Sequence, residues 1–326
     1  MKKIRWGIVG AGNIARKFAV AIKNVDVAEL SAIASRTKEK GELFAKNYGI
    51  ETVFSSYEEM AKSEKIDAVY IATPHPMHVT CAQLFLEGKK HVLCEKPLCV
   101  NAKQAMKLKA CAERNGVFLM EAMWTRFLPA IKEIQKLIND REIGEISGIK
   151  ADFCYASSPE EDRNIFNNSM AGGSLLDVGV YGLHFSSIFL GDGPEVISSV
   201  ANMGYGVDLH TNILLKYKNG AISSISSAVE VYKPSDAYIY GAKGYIYVPD
   251  FYGARDFYIC KGEEKRHVEK LPIGAGFEEE IYEVCHCIAQ GKTESDILPL
   301  DKSIRILEQM DLIRKQIGLK YPFDDE

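Results

Sequence analysis

The sequence predicts an α/β protein in two parts: a doubly wound parallel sheet first, then an α+β domain with a large, mostly antiparallel, open-faced sheet. Three observations carry that prediction. Short apolar strands alternate with helical stretches from Ile4 to Met120, the pattern of βαβ units. A glycine-rich turn, Gly10-Ala11-Gly12-Asn13-Ile14-Ala15, joins the first strand to the first helix. From Glu195 onward alternating strands and hairpin signals take over, Asn219-Gly220 being the strongest. At 326 residues the chain is long enough for two cores, divided here at 1–122 and 123–326.

Composition narrows the function. A net charge of −4 argues against nucleic acid as a partner, which would favour a basic patch. No apolar run reads as a membrane span, and Met1-Lys2-Lys3 leads straight into a strand, so a cytoplasmic protein with no membrane partner is expected. The eight cysteines are scattered through apolar runs, as reduced core thiols are. Cys285-His286-Cys287 has neither zinc spacing nor a shared helix face, so no metal is expected.

In the first domain, Ile4–Val9 reads as a buried strand and Ala15–Lys23 as a helix. Between them Gly10 permits the tight turn, Gly12 lets the backbone approach a pyrophosphate, and Ala15 allows close helix–strand packing. The N–H groups opening the helix, around Asn13 and Ile14, then face the phosphates. This is the context of a dinucleotide-binding Rossmann domain. The next strand, Ala28–Ala34, ends in Ser35-Arg36-Thr37 where an NAD site usually carries an acid. A guanidinium and hydroxyls suit a 2′-phosphate, so NADP is expected as cofactor, with NAD possible. An ordinary surface arginine is the alternative. Asp67–Ala72 is a further strand, and Thr73-Pro74 opens a rigid loop leading to His78. Here Thr73 and Pro74 offer backbone and hydroxyl groups to a cofactor, whereas His78 is ambiguous between structure and site. His91–Leu98 reads as a strand stopped by Glu95-Lys96-Pro97, which leaves Lys96 at the carboxyl edge of the sheet, where such folds place their ligands. A solvated surface turn is the alternative there. Helix Ala102–Asn115 and strand Val117–Met120 complete the domain.

In the second domain a helix over Phe127–Leu137 and a strand over Gly144–Tyr155 precede a polar stretch, Ser157–Met170. Helical periodicity over Ser174–Leu190 puts Asp177, Tyr181 and His184 on one face. Strands then run from Thr211 to Leu271, and helices Phe277–Gln290 and Asp301–Gln316 close the chain. One sheet face is rich in Ser, Tyr and Thr, so it is either solvated or an interface.

Together the GxGxxA turn, Thr73-Pro74 with His78, and Glu95-Lys96-Pro97 resemble the glucose–fructose oxidoreductase/inositol dehydrogenase (Gfo/Idh/MocA) family. The runs Glu121–Pro129 and Gly172–Tyr181, with the ending Met310–Pro322, are similar to its branch of dimeric dihydrodiol dehydrogenases and NADP-dependent D-xylose dehydrogenases. The resemblance implies Lys96, Asp177 and Tyr181 as the catalytic set. It implies that Glu95, Trp124 and Arg126 lie by the nicotinamide, and that a homodimer forms through the C-terminal sheet. Tyr181 stands where inositol-type members have His, which speaks against a cyclitol.

Two functions follow. One is an NADP-dependent oxidoreductase acting on a secondary alcohol of a sugar, polyol or cyclic trans-diol. The other is an NADP-binding sensor without turnover. The presence of Lys96, Asp177 and Tyr181 together favours the enzyme. Tyr181 as proton donor or acceptor, helped by the Lys96 ammonium, and Lys96 in that role itself are both compatible with the sequence.

Overall fold

The computed structural model describes residues 3–324. Its first six strands are β1 (Ile4–Val9), β2 (Ala28–Ala34), β3 (Thr52–Phe54), β4 (Ala68–Ile71), β5 (His91–Glu95) and β6 (Leu119–Ala122). Between them run helices α1 (Asn13–Ala21), α2 (Lys38–Tyr48), α3 (Tyr57–Lys62), α4 (His78–Glu87) and α5 (Ala102–Asn115). After helix α6 (Pro129–Asn139) come β7 (Ile146–Ala156) and α7 (Val180–Leu190). Then follow β8 (Val196–Gly204), β9 (Val207–Lys216), β10 (Ile222–Ala228), β11 (Glu230–Lys233), β12 (Ala237–Gly241), β13 (Gly244–Val248), β14 (Asp256–Lys261) and β15 (Glu264–Glu269). Two helices end the chain, α8 (Phe277–Ala289) and α9 (Leu300–Ile317).

The chain divides into two compact units. The first holds the chain up to Cys99, Lys103–Trp124 and Ile273–Ile304. Its six strands are all parallel, in the order β3-β2-β1-β4-β5-β6. Strand β4 is buried at every position, as a parallel strand covered on both faces should be. The order reverses beside β1, and open α/β sheets bind ligands at the carboxyl ends of the strands at such a reversal.

The segment Ile273–Ile304, which the sequence reading leaves with the second domain, packs in this first unit. Polar contacts hold it there: Asn24 donates to Glu278 at 2.8 Å and the Ser303 hydroxyl to Glu121 at 2.6 Å. These ties span 254 and 182 residues of chain, so no local pattern announces them.

The second unit is built on the sheet β15-β14-β13-β12-β7-β10-β9-β8, with β11 paired to β7. Its pairings are antiparallel except β7 with β10. On β7 the side chains alternate: Ile149, Ala151, Phe153 and Tyr155 point to one side, Lys150 and Asp152 to the other. Helix α7 packs on the first side. The run Asn168–Leu190 is long and apolar enough to cross a membrane by composition, which corrects the sequence reading. Of that window 78% is buried inside the protein, as a core helix would be.

Candidate active site

In the first unit the expected cofactor residues collect at one edge of the sheet. The turn Gly10–Ala15 follows β1, Ser35-Arg36 follows β2, Thr73-Pro74 follows β4 and Lys96 follows β5. These four strands are consecutive neighbours, so their carboxyl ends form one row. Gly10 has φ +101°, and a Cβ there would lie 2.7 Å from the Ala72 carbonyl oxygen; only glycine fits. At Gly12 an added Cβ would meet nothing within 4 Å. Gly12 and Asn13 are exposed and Ile14 half-buried at the start of α1, whose first-turn N–H groups have no intrahelical partners. The turn therefore suits a pyrophosphate. Ser35 is buried and Arg36 exposed, which leaves the guanidinium accessible to an anion.

The turn holding Lys96 is tied from several sides. Its peptide to Pro97 is cis. Glu95 is buried; it accepts from the Tyr70 phenol and, at 3.2 Å, from the Lys96 N–H. Burial pushes the Glu95 carboxyl up, and the Lys96 ammonium and Tyr70 hold it down. Glu121 on β6 accepts the Leu98 N–H at 3.0 Å, just past the turn. His78 is fully buried with both ring nitrogens against main-chain carbonyls. Trp124 stacks on Phe277 of α8, ring centroids 4.7 Å apart and nearly parallel.

In the second unit Asp177 and Tyr181 come together against one strand. Asp177 belongs to a π-helical turn, Leu175–Gly179, that runs into α7. Such turns widen a helix by one residue and are frequent at functional sites. The Tyr155 phenol donates to Asp177 Oδ2 at 2.8 Å. Burial, then the Asp177 charge, push the Tyr155 phenol far up, so it stays protonated. Two residues back on the same face of β7, Phe153 packs against Tyr181 at 5.2 Å and stacks on Tyr252 at 4.3 Å. Carboxylate and phenol are thus set in an aromatic wall, a surface for a ring or chain with hydroxyls at one edge.

His184 and Arg126 belong to a different cluster. Arg126 is buried and donates through Nε to His184 Nδ1 at 2.9 Å and through Nη2 to the Ser187 hydroxyl at 2.5 Å. Ser187 in turn donates to Asp192 at 2.6 Å. Arg126 therefore ties the start of the second unit to α7. Sequence reasoning missed Tyr155, Phe153 and Tyr252. Alternation on β7 could have found the first two, since a strand leading to the helix of Asp177 presents every second residue to it.

Strand order, glycine turn and row of polar groups define a nicotinamide-dependent oxidoreductase of the dehydrogenase/reductase kind. Residues 4–123 match the model of an oxidoreductase family with an NAD-binding Rossmann fold, and 131–247 match the GFO/IDH/MocA C-terminal domain. The chain belongs to the Gfo/Idh/MocA family. It is 35% identical to the trans-1,2-dihydrobenzene-1,2-diol dehydrogenase of Xenopus tropicalis, covering 98% of this chain and 99% of that one. The human enzyme of the same name is 32% identical with the same coverage. Among solved structures, a 3-ketoreductase from Actinomadura kijaniata in complex with NADP and TDP-benzene superposes with a TM-score of 0.89. That match has 25% identity over 97% of this chain and 98% of that one.

Proposed function

We propose that this protein is an NADP-dependent oxidoreductase whose substrate is a secondary alcohol, or the matching ketone, of a sugar, polyol or cyclic trans-diol. The observation that carries the reading is the row of carboxyl ends of β2, β1, β4 and β5, which gathers the glycine turn, Arg36 and Lys96 at one sheet edge. Relatives named for a dihydrodiol and a neighbour solved with NADP support it. When bound, the nicotinamide supplies or accepts the hydride. The chain's own residues bind, orient and move the proton. Gly10–Ala15 hold the pyrophosphate, Arg36 with Ser35 the 2′-phosphate, and Thr73, Pro74, Glu95 and Trp124 flank the nicotinamide end. Lys96, Asp177 and Tyr181 are the catalytic set that the family resemblance implies. Tyr181 takes or returns the proton and Asp177 holds a neighbouring hydroxyl, with Lys96 itself as acid/base the alternative. Tyr155 remains protonated beside Asp177 and so is no base.

We infer also a homodimer formed through the open face of the second unit's sheet. That face carries the stacked rings of Tyr238, Tyr247, Tyr258 and His267, with exposed Val200, Leu214 and Ile222 farther along. Asp152, on the same face and 7% exposed at its side chain, is flanked by Lys150 and Lys233 at 3.0 Å each. The buried free thiols support a reducing compartment such as the cytoplasm.

The test is turnover. Purified protein with NADP or NADPH and a panel of aldoses, polyols, keto sugars and trans-diols should change the absorbance of the reduced cofactor with at least one class. Tight NADP binding with no turnover across the panel would make the protein an NADP sensor instead.

A further inference from the structure

Gly172-Gly173-Ser174 is the turn from which the helical segment of Asp177 and Tyr181 springs. Its glycines answer to close approach. A Cβ on Gly172 would lie 2.4 Å from the Ile165 carbonyl oxygen and 2.5 Å from that of Asn164. Gly173, at φ +107°, would place one 2.2 Å from Asp208 Oδ1. Farther along, a Cβ on Gly179 would come 3.1 Å from Ser227 Oγ, and one on Gly182 2.5 Å from an Ile225 methyl. At these positions the segment rests on its neighbours through bare backbone, a close-packed contact with no side chain to absorb a displacement. Asp177 also donates its N–H to the Gly173 carbonyl at 3.4 Å, so a shift of the turn is carried on to Asp177.

Two side chains from distant parts of the chain grip this turn. Asp208, 0% exposed on β9, accepts through one oxygen from the Ser174 hydroxyl and the Leu175 N–H at 2.8 Å each. Tyr321, buried beyond the end of α9, donates its phenol to the Gly172 carbonyl. Burial, then the Asp208 charge, keep that phenol protonated and so a donor. Tyr321 is itself locked in place. The Arg314 guanidinium lies 5.0 Å over its ring and donates to Asp324 at 2.8 and 3.0 Å, and Asp324 accepts the Tyr321 N–H at 2.8 Å. Beside it, the Lys320 carbonyl accepts from the Asn168 amide at 2.8 Å, and that amide also donates to the Gly206 carbonyl at 2.7 Å. The segment of Lys320 to Asp324 is thus fastened both to the glycine turn and to the loop before it.

We propose that Tyr321 and Asp208 form a clamp on the Gly172-Gly173-Ser174 turn and are positioning residues for Asp177. The clamp fixes the backbone where the π turn begins, and the Tyr155 phenol holds the carboxylate itself. A substrate hydroxyl held by Asp177 needs both, since a misplacement of about 1 Å is worth about a hundredfold in rate. The catalytic half of the proposal rests on the reading of Asp177 as a group that holds substrate; the geometric half does not.

Crystal structures read the geometric half without turnover. Tyr321→Phe keeps the ring and removes the donor. In it the glycine turn should shift, and the Tyr155–Asp177 bond, 2.8 Å in the wild type, should lengthen or break. Asp208→Asn should do the same and replaces it if Tyr321→Phe does not fold. An unmoved turn with the bond intact overturns the clamp. For the catalytic half, each variant should raise KM for the best alcohol of a panel about tenfold. NADP affinity should stay unchanged, because the cofactor residues belong to the first unit. Partial unfolding removes active molecules and lowers kcat; it does not raise KM. A wild-type KM in both variants, whatever their melting temperatures, overturns the positioning claim. Tyr321→Phe combined with Tyr155→Phe should lose less kcat/KM than the product of the two single losses, since both act through Asp177. The full product overturns that shared route. Wild-type kcat/KM in Asp177→Ala removes the reading of Asp177, and positioning for catalysis with it, and leaves the crystallographic result intact.

Discussion

Asp208 sits at the foot of the helical segment that carries Asp177 and Tyr181. Its Oδ2 accepts from the Ser174 hydroxyl at 2.8 Å, the Leu175 N–H at 2.8 Å and the Thr211 hydroxyl at 2.7 Å. Gly173, with φ +107°, makes room for it: a Cβ there would lie 2.2 Å from Asp208 Oδ1. Burial nevertheless wins over the three donors and pushes the carboxyl up to about 6. A carboxyl raised in the folded state binds its proton more tightly there than in the unfolded chain. Its contribution to stability is therefore full below the ordinary carboxylate range and is lost as pH rises through about 6. Between about pH 4 and 6, unfolding free energy should fall with pH more steeply in wild type than in Asp208→Asn, by up to about 1.4 kcal/mol per unit. Denaturant melts across that range check it, and parallel slopes would count against the raised value. Arg36 is the other residue with a separable effect. An Arg–phosphate contact is worth about 1.5–3 kcal/mol, or about ten- to a hundredfold in affinity. Calorimetric titration should show NADP bound more tightly than NAD by that order in wild type, and the preference lost in Arg36→Ala. Equal affinities in wild type would mean that Arg36 does not read the 2′-phosphate.

At the scale of elements, strand β7 and the π turn before α7 hold one another through the Tyr155–Asp177 bond. Tyr155→Phe keeps the ring and removes the donor to a charged acceptor, a loss of about 1.5–3 kcal/mol in the orientation of Asp177. A fall of about tenfold or more in kcat/KM, with NADP affinity unchanged, is the expected outcome. Steady-state kinetics of the variant decide it, and wild-type kcat/KM would leave Asp177 without need of its partner. Elements with a strong local period were legible: Ala28–Ala34 and Ala102–Asn115 lie where the sequence reading puts them. The expected helix over Ser174–Leu190 forms, but its first turn is π-helical. Apolar periodicity cannot distinguish that from an α turn, since both present the same apolar face. Strand β3 and helix α3 went unread because three and six residues are too few for a period to show. At the site, residues with chemical motifs were legible and their supports were not. Lys96 stands in a conspicuous turn, whereas Tyr70 and Glu121, which tie its neighbours, look like ordinary strand residues.

For the whole molecule, the second unit's open face is the feature that a single copy leaves unexplained. Val200 on β8 is 71% exposed, on the same face as the tyrosine ladder but at the far side of the sheet. Scattered singly, such residues need no partner; set in one sheet face, they suit a second copy of the same chain. Light scattering at micromolar concentration should give twice 36.3 kDa. Tyr238→Glu, which puts a carboxylate in the ladder, should shift it toward the monomer, and a wild-type mass of 36.3 kDa would remove the dimer. The account as a whole stands on Lys96 and Tyr181 as catalytic residues. The most direct test compares kcat for wild type, Tyr181→Phe and Lys96→Met on the best alcohol of the panel, with NADP affinity measured alongside. Tyr181→Phe should lower kcat by about two to four orders of magnitude and Lys96→Met should do likewise, with cofactor affinity nearly intact in both. Wild-type kcat in Tyr181→Phe from pH 6 to 9 would contradict the account, leaving the phenol no part in the proton transfer.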